Sequence, residues 1–246
     1  MRAGLAAMRA AHDIDRRGGV VVEMETMFTG FANRTEGGHR LAEALQHYRG
    51  KAKTMVVALP RGGVVTGAAI AEDLDLPLDV LIVRKLGAPG HEELAMGAIG
   101  PGGIRVLNEY VVSSLRIGLD LVEAETKRAE VELARRERLY RAGLPPLDFA
   151  GRTVIVVDDG LATGSTMWAA IAVIRRHHPA RIVLAVPVAP ADTLERFRFV
   201  VDELVYLESP EPFLAVGYWY VDFTQVEDAE VIAILERARS RAGAVA

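Results

Sequence analysis

Four consecutive apolar residues, Val154-Ile155-Val156-Val157, run directly into a pair of acids, Asp158-Asp159, and then into the small-residue stretch Gly160-Leu161-Ala162-Thr163-Gly164-Ser165-Thr166. An unbroken apolar run of this length reads as a strand covered on both faces, as in a parallel sheet. Met167-Trp168-Ala169-Ala170-Ile171 opens a helix directly behind the loop. In an open α/β sheet, ligands bind beyond the carboxyl ends of the strands. A loop of small residues leading into a helix N-terminus presents backbone N–H groups and a favourable dipole to an anion. Two carboxylates beside that loop repel a bare phosphate but suit hydroxyl groups or a divalent cation. The stretch therefore asks for one ligand that carries both a phosphate and a diol, with Mg²⁺; a phosphorylated ribose has those groups. Acids that merely cap the next helix would account for one of the two and leave the other unexplained.

The thirteen residues 154–166 resemble the phosphoribosyl-diphosphate (PRPP) signature of the type I phosphoribosyltransferases: four apolar positions, two acids, then small residues around a glycine. Gly160 departs from that pattern, standing where a bulkier apolar residue is more usual. The resemblance implies that Asp158 and Asp159 hold the ribose hydroxyls and, through them or water, Mg²⁺. It further implies that Ala162, Thr163, Gly164, Ser165 and Thr166 bind the 5-phosphate.

A second strand–turn–helix precedes it. Thr54 to Leu59 reads as a buried strand, Pro60-Arg61-Gly62-Gly63 as a turn, and Val64 to Leu74 as a helix with Val65, Ala69 and Ile70 on its apolar face. Val64 occupies the second glycine position of a dinucleotide fingerprint, and no GK[ST] follows, so neither a Rossmann site nor a P-loop is indicated. The segment resembles the family's pyrophosphate loop, which often contains a cis peptide, here expected at Arg61–Gly62. Leu78 to Val83 reads as the next strand and ends in Arg84-Lys85, which resemble the basic pair that holds pyrophosphate in several members. The next eighteen residues, Leu86 to Gly103, hold six glycines and two prolines around His91, Glu92 and Glu93. So long a glycine-rich segment inside a compact domain reads as a lid or binding loop, matching in position the family's mobile catalytic loop. Lys85 and both acids are thus the expected catalytic groups, with Arg61, Gly62, Arg84 and Lys85 toward pyrophosphate.

Ile104 to Leu107 is expected as a returning strand, and Glu109 to Arg141 is the longest helical pattern in the chain. Leu115, Leu119, Val122, Thr126, Ala129, Leu133 and Tyr140 follow a four–three spacing, with Arg136 filling the last gap. A seam interrupted by Thr126 and Arg136 is too weak for a free-standing coiled coil, so it packs on the core or on a partner. Further on, a helix to His178, a strand from Arg181 to Val188, a helix from Ala191 to Arg198 and a strand from Leu204 to Leu207 continue the alternation. That alternation argues a parallel sheet with right-handed crossovers. The segment from Pro210 to Phe223 carries five of the fifteen aromatic residues on an irregular, proline-containing backbone. Such aromatics can stack on a flat heterocycle, so Phe213, Trp219 and Tyr220 are candidates for an acceptor base; plain core packing of Trp219 and Tyr220 is the competing reading. A helix from Val226 to Ser240 closes the chain.

Composition narrows the classes. The chain has 246 residues, a net charge of −4 and no cysteine. No basic field invites nucleic acid, and there is no thiolate nucleophile, zinc thiolate or disulfide framework. No apolar run approaches the ~20 residues of a membrane span, and the first residues lack the apolar core of a secretory signal. The expectation is a cytoplasmic protein: residues 1–26 as an extension of unassigned role, and 27–246 as one α/β domain of the type I phosphoribosyltransferase fold. Its hood would lie at about 208–225, its mobile loop at about 86–103, with a long inserted helix. The implied activity is transfer of ribose 5-phosphate from PRPP to a nucleobase-like acceptor, dependent on Mg²⁺, in a homodimer that binds neither nucleic acid nor membrane. The alternatives are a regulator on the same fold that senses PRPP or nucleotides without turnover, and a hydrolase or NTPase. The last lacks both its GK[ST] and a G-x-S-x-G elbow.

Overall fold

A computed structural model of the chain describes residues 10–14, 20–24 and 30–244. Its centre is a sheet of seven strands: β1 Ala10–Ile14, β2 Val20–Met24, β3 Thr54–Ala58, β4 Leu78–Val80, β8 Thr153–Val157, β9 Arg181–Val188 and β10 Glu203–Glu208. Their order across the sheet is β1-β2-β10-β9-β8-β3-β4. From β2 to β4 every neighbouring pair is parallel, and only β1 runs antiparallel, against β2.

Alternate residues of the central strands feed two separate cores, as the period of two requires. Val56, Ala58, Ile155, Val157, Val183 and Ala185 face one side, where Leu41, Ile70, Val231 and Leu235 cover them. Those four lie on α1 (Arg34–Ala44), α2 (Gly62–Asp73) and α7 (Asp228–Ala244). Val57, Val154, Val156, Ile182 and Leu184 face the other side, under Met167, Ile171, Leu194 and Phe197 from α5 (Ser165–Arg175) and α6 (Ala191–Phe197). After β3 the chain moves outward to β4 and returns to β8 on β3's other flank. The carboxyl ends of β3 and β8 therefore flank a topological switch point, the usual place for a ligand crevice.

Two expectations are revised. Residues 86–103 are not an irregular loop: β5 (Arg84–Ala88), β6 (His91–Gly100) and the expected returning strand, β7 (Ile104–Leu107), make a separate three-stranded antiparallel sheet. Two of its glycines, Gly97 and Gly100, serve close packing. A Cβ on Gly97 would lie 2.6 Å from the Val106 carbonyl oxygen, and one on Gly100 would lie 2.6 Å from Val173 Cγ1. The long helix is two, α3 (Glu109–Ser114) and α4 (Leu119–Arg141), separated where Arg116 takes a left-handed φ of 50°. The buried seam starts at Val122 and runs through Thr126, Ala129 and Leu133 to Tyr140. β1 and β2 extend the sheet at one edge, β2 pairing in parallel with β10.

Candidate active site

The parallel pairing of β3 with β8 delivers two loops side by side, and the Leu59 N–H carries the ladder one step further by donating to the Val157 carbonyl at 2.9 Å. Pro60–Gly63 then packs directly on the acid pair. A Cβ on Gly62 would stand 1.9 Å from Asp159 Oδ2, and one on Gly63 would stand 2.9 Å from Asp158 Oδ1. The glycines are thus required by how closely the acids approach this loop. The cis peptide is present one residue earlier than expected, between Pro60 and Arg61.

Asp158 Oδ1 accepts the Asp159 N–H at 2.9 Å. Burial, followed by the negative charge of Asp159, pushes the Asp158 carboxyl well above the usual carboxylate range. Asp159 is held by α1 and by the hood. Its Oδ2 pairs with Arg34 Nε at 2.7 Å, both side chains being nearly buried. Its carbonyl oxygen accepts the Tyr220 hydroxyl at 2.5 Å. Arg34 also donates to the Thr224 carbonyl at 2.8 Å and lies 3.8 Å above the Phe223 ring, which stacks on Tyr220. Arg34 opens α1, whose N-cap is Asn33, with the side chain accepting from the Glu36 N–H. The hood and the first helix therefore meet at the second acid. Gly160 has its reason here as well: a Cβ would lie 2.5 Å from Val216 Cγ1, so the missing bulk admits the hood's Val216.

Behind the acids the chain forms a cup. Leu161 N–H is tied to the Val188 carbonyl at 3.0 Å. Gly164 adopts φ 71°, caps α5 without a side-chain bond and abuts Phe197 so closely that a Cβ would sit 2.6 Å from its ring. Thr193 Oγ1 donates to the Ala162 carbonyl at 2.8 Å and supports the loop from α6. Thr163 and Ser165 hydroxyls are 3.0 Å apart, and Ala162, Thr163 and Thr166 are exposed. First-turn N–H groups of a helix have no intrahelical partner; Thr163 Oγ1 accepts the Ser165 N–H at a long 3.4 Å, and such a helix end suits an oxyanion.

Beside the cup lies a cleft of ≈ 320 Å³ lined by Pro60, Arg84, Lys85, Thr166 and Arg136, among others. Arg136 belongs to α4 and bonds Glu132 Oε1 through Nε at 2.8 Å. Hydrogen bonds from Arg135 and Arg136 lower the Glu132 carboxyl to about 2. The cleft gathers three cationic side chains.

Most of the expected residues are thus brought together: Asp158, Asp159, Gly62, the 162–166 cup, Arg84 and Lys85. Arg61 is placed elsewhere, its guanidinium 3.6 Å from Glu227 and 3.8 Å from Asp228 at the start of α7. Of the aromatics, Tyr220 is buried next to Asp159, whereas Phe213 and Trp219 are partly buried against the core. The side chains of 91–93 lie outside the described residues. Arg34 and Arg136 were not assigned from sequence. Arg136 was visible as a cation interrupting the apolar seam of α4. Among the described residues no group of three or more His, Cys, Asp or Glu gathers to hold a metal, and none of the helices is long and apolar enough to cross a membrane.

A central parallel sheet, a paired acid at a strand's end and a helix-capping cup define an α/β protein of the phosphoribosyltransferase class. The phosphoribosyl transferase domain family matches residues 33–218, and the chain belongs to that family. Two Mycobacterium tuberculosis proteins, MT0597 and Rv0571c, provisionally named phosphoribosyl transferases, are each 44% identical over 218 residues, covering 87% of this chain and 49% of their own length. The chain therefore spans about half the length of these curated relatives. Among solved structures, TT1426 from Thermus thermophilus is similar with a TM-score of 0.77 and 42% identity, over 85% of this chain and 99% of that one.

Proposed function

We propose that this protein transfers ribose 5-phosphate from PRPP to a nitrogen of a nucleobase-like acceptor and releases pyrophosphate. The observation that carries the reading is the convergence of three complementary surfaces at one switch point. These are the acid pair Asp158-Asp159, the 162–166 cup and the cation-lined cleft of Arg84 and Lys85. The cup takes the 5-phosphate, the acids take the ribose hydroxyls, and the cleft takes the diphosphate. The bond from the anomeric carbon to the diphosphate oxygen breaks, the bond to the acceptor nitrogen forms, and the acceptor's proton leaves to solvent. Negative charge grows on the departing diphosphate, so cations fixed in the cleft stabilise the transition state more than the ground state. Mg²⁺, when bound with PRPP, would neutralise further diphosphate charge. Tyr220 and its neighbours would border the acceptor. The same reading carries the expectations of a cytoplasmic location and a homodimer.

The test is pyrophosphate release from PRPP in the presence of Mg²⁺ and a panel of purine and pyrimidine bases and simple amines. Release dependent on one acceptor supports transfer. Tight PRPP binding with no release for any acceptor leaves the sensing role in its place.

A further inference from the structure

Arg136 sits on α4, remote in sequence from every segment that forms the acid pair or the cup, yet its side chain lines the same cleft as Arg84, Lys85, Pro60 and Thr166. Its one side-chain hydrogen bond among the described residues, from Nε to Glu132 Oε1 at 2.8 Å, leaves the two terminal guanidinium nitrogens available. Arg84 Nε, in the same cleft, is buried with no hydrogen-bond partner among the described residues. A buried guanidinium N–H without an acceptor is costly unless a ligand oxygen completes it. Two planar guanidiniums and an ammonium around a cleft of ≈ 320 Å³ match a ligand with several oxyanions, since guanidinium forks pair with phosphate oxygens two at a time. Glu132 also accepts two bonds from Arg135, at 2.8 and 2.9 Å, so it shares its charge and is not a dedicated partner for Arg136.

We propose that Arg136 is a diphosphate-binding residue, supplied by α4, and that Glu132 holds it in place between ligands. The proposal rests on the transferase reading above and adds to it a residue that turns α4 from a packing element into one wall of the leaving-group site. On binding, diphosphate oxygens engage the terminal nitrogens of Arg136 and Nε of Arg84, and the Glu132 contact through Nε is retained or loosened.

The test is calorimetric titration of the full chain with two probes, inorganic pyrophosphate with Mg²⁺ and ribose 5-phosphate. Arg136→Ala is expected to weaken pyrophosphate about ten-fold while changing ribose 5-phosphate less than about two-fold, with Arg136→Lys between. Glu132→Gln is expected to tighten pyrophosphate in the native background and to have no such effect in Arg136→Ala. Thermal melting verifies that each variant is folded, which the partly exposed side chain of Arg136 should permit. Unchanged pyrophosphate affinity in Arg136→Ala, equal weakening of both probes, or equal tightening by Glu132→Gln in both backgrounds would overturn the inference alone. A wild-type protein that binds neither probe would overturn the reading beneath it.

Discussion

The contact between the two glycines and the two acids makes Gly62→Ala an unusually informative change. The new methyl would stand 1.9 Å from Asp159 Oδ2, 2.6 Å from its Cγ and 2.8 Å from Arg34 Nε. The alanine has no rotamer of its own to relieve this, because the clash begins at Cβ. Either the 60–63 loop retreats or the Asp159–Arg34 pair moves. Overpacking of this kind costs about 1–3 kcal/mol, which for a domain of this size lowers the melting temperature by roughly 2–12 °C. The functional effect is larger in kind, since the moved carboxylate is one that the ribose hydroxyls require. PRPP affinity with Mg²⁺ is expected to fall at least about ten-fold, the equivalent of ~1.4 kcal/mol. Gly102→Ala is the control. Gly102 has φ 70° and nothing within 4 Å of a built Cβ, so it bears only the left-handed strain of ~1–2 kcal/mol. Both variants should lose stability in melting experiments, and only Gly62→Ala should lose affinity in calorimetry. Gly62→Ala binding PRPP within two-fold of wild type would refute the reasoning that this loop and the acids form one surface.

Other outcomes follow from the same geometry. Asp158 carries a carboxyl raised by burial and by Asp159, so between its unfolded value of ~3.9 and its raised folded value the folded chain holds the extra proton. Stability then falls as pH rises across that window and stays lowered above it. Asp158→Asn is accordingly expected to melt higher than wild type at about pH 8, with the difference shrinking below about pH 4, even as it loses ligand binding. At the opposite end of the sheet, the Tyr48 hydroxyl donates to buried Glu203 at 2.6 Å, beside Arg181. Burial and this carboxylate push the Tyr48 hydroxyl's own proton loss to higher pH. Tyr48→Phe should cost about 1–3 kcal/mol in chemical denaturation and leave PRPP affinity unchanged.

The parts of the fold that could be read from sequence are those where one local pattern decides the outcome. β3, β8 and β9 are unbroken apolar runs because a central parallel strand is covered on both faces, and their bounds emerge almost as read. The acid pair and cup were legible for the same reason, since strand, turn and helix are contiguous. The three-stranded sheet was not, because glycine has two uses with one appearance. At Gly97 and Gly100 it permits close approach rather than freedom, and the alternating burial of Leu86 and Ala88 was masked by Gly87 between them. The break between α3 and α4 depends on Arg116 in a left-handed conformation, for which an arginine gives no local warning. Arg34 and Asp159 are 125 positions apart, and only the packing of α1 beside the hood brings them together. Arg61 had the right type and place in the chain, but its side chain turned toward acids at the start of α7 that no local pattern connects to it.

The most direct measurement is calorimetry of PRPP binding, with and without Mg²⁺, to the wild-type chain and to the Asp158→Asn, Asp159→Asn double variant. The account predicts Mg²⁺-dependent binding by wild type and its loss in a double variant that still melts cooperatively. Equal affinity in the two proteins would contradict it.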